Sequence, residues 1–179
     1  MDSNITMETE RLFHRRFTDD DLERLVEMRS TMDTARYLGG EIAMTRDWIS
    51  DRLKYYMSVY PTGIGMNAMF WKETNEMIGW SGIQPLGKTG EIEVGYGMIK
   101  EYWQRGIGYE TAKGWLDFGF REKGLERIVA VAHPDNTGSW RIMEKLGMKF
   151  EKRDFHYDME VVFYGISRDE FLNAPGGQA

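Results

Sequence analysis

EYWQRGIGYETAKGWLDFGF, residues 101–120 of a 179-residue chain, decides how the rest of the sequence is read. Gly106 and Gly108 stand one residue apart beside Arg105, just before an apolar helical pattern that opens at Tyr109. Glycine is a poor helix former, so its double use at a helix start needs a reason. The first N–H groups of a helix and the dipole behind them favour an anion. Glycine lets the backbone approach that anion without a Cβ in the way, and a guanidinium suits pairs of oxygens. Two phosphate motifs do not fit. The chain has no Gly-x-x-x-x-Gly-Lys-Ser/Thr loop, and the dinucleotide fingerprint needs a third glycine at 111, where Thr111 stands. The plain alternative is a loop whose glycines only relieve turn strain.

Upstream, EIEVGYGMI (91–99) alternates as a strand. One face carries Ile92, Val94, Tyr96 and Met98; the other carries Glu91, Glu93, Gly95 and Gly97. A carboxylate followed by two glycines leaves that second face open to a ligand. Glu93 otherwise reads as a solvated edge-strand acid. Downstream, helix 109–124 ends at Gly124, RIVAVAH (127–133) is a short buried strand, and NTGSWRIMEKLG (136–147) is a helix capped by Asn136. Strand, helix and strand here form a right-handed parallel βαβ unit.

Further out, RLFHRRF (11–17) reads as a strand and TDDDLERLVEMRS (18–30) as a helix. TRDWISDRLKYYMSVY (45–60) reads as a helix capped by Thr45. MNAMFWKE (66–73) and EMIGWSGIQP (76–85) are strands around a Thr-Asn turn, and KFEKRDFH (149–156) and EVVFYGI (160–166) close the fold. SRDEFL (167–172) is a last turn with a Ser-x-x-Glu box. The pattern predicts an α/β chain with a mixed, mostly antiparallel central sheet, helices on both faces and a parallel strand pair. It predicts one domain over 1–179, with 1–8 and 173–179 frayed.

The formal charge of −6 argues against nucleic acid as a partner, since phosphate binding needs a cationic footprint. No cysteine is present, so thiolate metal sites, disulfides and cysteine nucleophiles are excluded. His14, His133 and His156 lie far apart in sequence, and no metal site is expected. No apolar run is long enough to span a membrane, and the first residues do not resemble a signal peptide. These features predict a cytoplasmic protein.

YWQRGIGYETA resembles the pyrophosphate loop of the GNAT superfamily of acyl-CoA-dependent N-acetyltransferases. It is most similar to the branch that acetylates ribosomal-protein N-termini, whose loop runs Tyr-Trp-Gly-Lys-Gly-Tyr-Ala-Thr-Glu-Ala. ETERLFHRRFTDDD, MIGWSGI, EIEVGYGMI and RIVAVAHPDNTGSWRIMEKLGM follow the same branch in order, from about residue 8 to 172. Three positions depart from it. Trp103 stands where the superfamily often has Gln or Arg, Gln104 replaces the branch's first loop glycine, and Arg105 replaces its lysine.

The resemblance implies acetyl-CoA as co-substrate. The backbone N–H groups of Gln104, Arg105, Gly106, Ile107, Gly108 and Tyr109 would hold the pyrophosphate. The pantetheine arm would pair with Met98 and Ile99 where the parallel strands splay. Asn136 would bind the arm, or only cap its helix. Lys145 would lie near the adenosine end, or only answer the helix dipole. Ser139 would serve the departing thiolate, or only sit in a first helical turn. Glu93 is the candidate base for a primary amine acceptor, either a protein N-terminus or a small molecule, attacking the thioester directly. The acidic balance suits a cationic acceptor; Trp48, Tyr55, Tyr56, Trp71 and Trp80 either wall the acceptor cleft or pack the core. A homodimer through the closing strands fits the sequence. The rival functions are a non-catalytic acyl-CoA sensor and a binder of ATP or NAD.

Overall fold

The computed structural model describes residues 4–30 and 32–174. The elements in chain order are β1 (Ile5–Glu8), β2 (Leu12–Arg16), α1 (Leu22–Arg29), α2 (Met32–Ala35), α3 (Arg46–Val59), β3 (Gly65–Trp71) and β4 (Glu76–Pro85). Then follow β5 (Ile92–Met98), α4 (Ile107–Asp117), β6 (Arg127–Ala132), α5 (Thr137–Lys145), β7 (Lys149–His156), β8 (Met159–Ser167) and α6 (Arg168–Asn173). The strands form one eight-stranded sheet in the order β1-β2-β3-β4-β5-β6-β8-β7. Every neighbouring pair is antiparallel except β5 and β6. That parallel pair registers at a single position, Glu93 opposite Val129, so the two strands part beyond it.

Alternation along the strands builds two cores. Ile83, Val94, Ile128 and Ala130 face α4, α5 and α6, packing with Trp115, Leu116, Met143 and Phe171. Met66, Ala68, Phe70 and Trp80 face α1 and α3, packing with Leu25, Met28, Ile49, Leu53 and Tyr56. Glycines on the strands let the layers close. A Cβ at Gly97 would meet the Trp80 ring at 2.3 Å, which places Trp80 on the Glu93–Gly95–Gly97 side of the sheet.

Three expectations are corrected. Residues 5–8 are not a frayed tail: they form β1, held because the Met7 side chain is buried and its carbonyl meets the His14 ring. Residues 1–3 and 175–179 of the expected tails lie outside the described residues, and α6 runs on through Asn173. Helix α4 starts at Ile107 rather than Tyr109, because Gly106 itself is the N-cap in the left-handed region at φ +78°. Its end widens into a π turn over Phe118–Glu122 before Gly124 reverses the chain at φ +65°. Thr45 precedes α3 but its hydroxyl donates backwards to the Ile42 carbonyl, so it does not cap the helix. The Ser167–Glu170 capping box forms as read.

Candidate active site

The glycine loop splits into two physical jobs. Gly106 supplies a conformation that other residues adopt at a cost. Gly108 is an ordinary helical residue under tight packing: a Cβ there would sit 2.9 Å from Ile142 Cδ1 and 3.1 Å from the Tyr96 ring. Gln104 also lies in the left-handed region, at φ +57°, in the position where the branch uses glycine. Gln104, Arg105 and Gly106 are exposed, while the Ile107 side chain is buried in the core. The N–H groups of the first α4 turn have no partner within the helix. Arg105 stacks between Trp71 and Tyr102, each 5.0 Å away, and its carbonyl accepts from Arg11 Nη1 at 3.0 Å. Arg11 is held in turn by Glu110, with Nε to Oε2 at 2.6 Å. Burial raises the Glu110 carboxyl, but bonds from Thr9 and Arg11 outweigh it and leave it lowered.

The splay between β5 and β6 opens beside this helix end. Ile99 N–H donates to the Ile78 carbonyl at 3.0 Å, so alternation turns the Met98 N–H away from β4, toward the gap. The Met98 carbonyl accepts from the Trp103 indole at 2.9 Å. Across the gap, Asn136 caps α5 through Oδ1, which accepts from Ser139 N–H at 3.3 Å. Its Nδ2 makes no bond among the described residues. Tyr96, read from the sequence only as a packed residue, has a buried hydroxyl without a hydrogen-bond partner, and Ser139 is the polar group acting on it. Burial pushes the Tyr96 phenol up to about 12. Lys145 Nζ lies 4.5 Å from the centre of the Tyr109 ring, on the first turn of α4.

Glu93 is not a solvated edge acid. It is buried, accepts from Gln84 Nε2 at 2.8 Å, and is bonded by the Tyr157 hydroxyl. Burial raises its carboxyl above the ordinary range despite those bonds and the nearby Arg52 guanidinium. Tyr157 and Asp158 form the β7–β8 turn, both at positive φ, and this places the Tyr157 ring over the site. Five residues of strand separate Glu93 from Met98, about 16 Å at the usual rise per residue. A carboxylate on Glu93 therefore cannot touch an amine held at the Met98 N–H.

The family model for the Acetyltransferase (GNAT) domain matches residues 11–149, which includes the glycine loop, the splayed strands and α5. The chain belongs to the GNAT acetyltransferase family. Bacillus subtilis YoaA, described as an uncharacterized N-acetyltransferase, is 31% identical over 147 residues, covering 81% of this chain and 83% of YoaA. A GNAT-family acetyltransferase from Bacillus anthracis shares the fold with a TM-score of 0.77 at 27% identity, over 92% of this chain and 99% of that one. A ribosomal L7/L12 α-N-protein acetyltransferase in complex with coenzyme A has a TM-score of 0.76 at 14% identity, over 91% of this chain and 97% of that one.

The fold thus brings Gln104–Tyr109, Met98, Asn136, Ser139 and Lys145 toward one gap, while Glu93 lies at its closed end. The expectation for Ile99 is corrected, because its N–H bonds the Ile78 carbonyl and its carbonyl accepts from Tyr102 N–H, leaving no backbone group for an arm. Sequence reading missed Tyr96, Gln84, Arg52 and Tyr157. Alternation alone could have put Tyr96 on the α5 side. Tyr157 is more than 60 residues from Glu93 in the chain, and no local pattern joins them.

Proposed function

We propose that this GNAT acetyltransferase moves an acetyl group from acetyl-CoA to a primary amine, on a protein N-terminus or a small molecule. The observation that carries the reading is the Met98 N–H turned into the gap between β5 and β6, beside the Gly106-capped end of α4. A pantetheine arm fits that gap as an extra strand. A pyrophosphate fits the N–H groups from Gln104 to Tyr109, with Lys145 alongside. Asn136 has Nδ2 to offer the arm while Oδ1 caps α5, so its two readings combine. The buried, unpartnered Tyr96 hydroxyl is the further polar group that a ligand in the gap would satisfy.

The residues divide the chemistry. Met98 N–H donates to the thioester carbonyl oxygen. The amine nitrogen bonds to the acyl carbon as the C–S bond breaks. Glu93 receives the amine proton through water, because its distance from Met98 forbids direct contact. A chain-terminal α-amine with pKa near 7.7–8.0 is about one-tenth neutral at pH 7, so a protein N-terminus needs less help from a base than a lysine. Tyr96 and Ser139 serve the departing sulfur. A phenol near 12 is a weaker acid than a thiol near 8.5, so Tyr96 donates a hydrogen bond to the thiolate rather than a full proton.

Titration with acetyl-CoA, followed by melting temperature, tests the reading, with ATP and NAD as controls. Saturable stabilisation by acetyl-CoA alone, followed by thiol release with an amine, is the expected result. Binding without thiol release against any amine would favour an acyl-CoA sensor. A response to ATP or NAD without one to acetyl-CoA would overturn the assignment.

A further inference from the structure

On the Glu93 side of the sheet, two arginines stand together with no ion pair among the described residues. Arg29, at the end of α1, is 2% exposed. Its guanidinium lies 4.1 Å from the Trp80 ring centre and 5.2 Å from that of Trp48. Arg52, on α3, is half-buried and lies 5.1 to 5.8 Å from the rings of Tyr55, Tyr157, Tyr56 and Trp48. Trp48 touches both, and the two positive charges act on each other.

Aromatic rings cover the faces of these guanidiniums, but a guanidinium's donors point outward in its plane. Of the Arg29 donors, Nη2 reaches the Tyr56 hydroxyl at 3.4 Å, while Nε and Nη1 are buried with no hydrogen-bond partner. Neither arginine forms an ion pair among the described residues. Glu93 is the carboxylate that acts on Arg52 from a distance, and it is already bonded by Gln84 and Tyr157. Buried cations are ordinarily paired. Two like charges share one aromatic wall, Nε and Nη1 of Arg29 are unused, and Arg52 is engaged by Tyr56 but by no carboxylate within ion-pair reach among the described residues. An oxyanion binds N–H groups of this kind side by side.

We propose that Arg29 and Arg52 seat an oxyanion on the acceptor, which makes the acceptor a small amine carrying a carboxylate or a phosphonate-type group. The inference rests on the acetyltransferase reading above. Arg52 and Tyr157 form the accessible rim of the seat, and Arg29 forms its inner wall. Glu93 stands at one end, so the site is polar along its length: the oxyanion goes to the arginines and the amine is kept off them. A polyamine would instead bring further positive charge against two cations. The net acidity of the chain therefore misdescribes this pocket, whose local charge has the opposite sign.

The test uses the full chain with acetyl-CoA and matched amines. Methionine, phenylalanine and aspartate are each compared with their α-carboxamides, at a pH where both amines are neutral. 2-Aminoethylphosphonate is compared with butylamine, and spermidine and an N-terminal peptide amide serve as acceptors without an oxyanion near the amine. We expect at least one oxyanion-bearing amine to exceed its neutral partner tenfold or more in kcat/KM. The carboxylate and phosphonate arms then tell which oxyanion the seat takes. Arg52→Gln is expected to bring that ratio near one by raising KM, with kcat little changed. Arg29→Met is expected to abolish the same preference without lowering the melting temperature, since it removes a buried unpaired cation. Acetyl-CoA binding with no preference for any oxyanion member, or with spermidine or the peptide amide preferred, would overturn this inference and leave acetyl transfer standing. Failure to bind acetyl-CoA would overturn both.

Discussion

Glu93 sets the first expectation at the scale of a single residue. Its folded-state pKa is raised by burial, so its protonated form is the one the fold prefers. The stability it contributes is present at low pH and is lost as pH rises through that raised value. Its use as a base runs the other way, since only the carboxylate accepts a proton. The kcat/KM profile should therefore have an acid limb above the ordinary Glu value of about 4.3. Glu93→Gln should remove that limb and lower turnover at least tenfold, with acetyl-CoA affinity nearly unchanged. An unaltered profile would take Glu93 out of the mechanism.

His14 gives a second residue-level expectation, about stability alone. The ring is fully buried between Met7 and Thr111, and burial lowers its pKa to about 4. The roles in this chain follow by exhaustion. The Met7 carbonyl can only accept, so Nδ1 carries the proton, and Nε2 must accept from the Thr111 hydroxyl at 3.0 Å. Ser81 links Thr111 to the Trp115 indole, which can only donate. A protonated ring would turn the Thr111 hydroxyl round to donate to Ser81, and its charge would still be buried without a carboxylate in contact among the described residues. Stability from the neutral ring is complete above pH 6.5 and is lost as pH falls toward 4, about 3 kcal/mol in all. Denaturant melts at pH 7 and pH 4 should show that loss in the native chain and not in His14→Gln. Sequence spacing marked His14 only as a poor metal ligand. Its actual partner is 97 residues away, and single-chain periodicity carries no such contact.

At the scale of elements, the legible parts were those encoded locally. Asn136 and Ser167 sit at helix starts and cap them, because a cap needs only residues three positions apart. The alternation of Ile92–Met98 gave the strand and both its faces. Strand β1 escaped notice because it is only four residues long, two of them polar, and is held by β2 and the single buried Met7. The start of α4 was misplaced by two residues because Gly108 was grouped with Gly106 as one device. Packing separates them. Gly108→Ala should push α4 away from α5 and cost about 1–3 kcal/mol, as overpacking does, with acetyl-CoA affinity falling as the first turn shifts. A melt at unchanged temperature would mean that Ile142 and Tyr96 yield freely, and that the glycine serves only the loop.

For the whole molecule, the sheet and the site were readable to different depths. The order of strands, helices and glycine loop identified a GNAT layout, with a glycine-capped helix end beside a parted parallel strand pair. The surroundings of Glu93 and the two arginines were not readable, because α1, α3, β4 and the β7–β8 turn meet there from four separate stretches of sequence. Charge illustrates the difference: a chain with a formal charge of −6 sets Arg29 and Arg52 on one aromatic wall, with no ion pair to either among the described residues. Ligand linkage acts at this scale too. Acetyl-CoA at a hundred times its dissociation constant should add about 2.7 kcal/mol to unfolding.

The single register between β5 and β6 also has a mechanical meaning. Five strands on one side and three on the other are joined, within the sheet, through Glu93 and Val129 alone. That pair is a pivot. A wedge driven between the free ends of β5 and β6 exerts its leverage on the pivot, and Glu93 is the residue that feels it. Tyr157, reaching over from the three-strand side to bond Glu93, is the strut across that pivot. Any load placed on the gap is thus borne first by Glu93, Val129 and Tyr157.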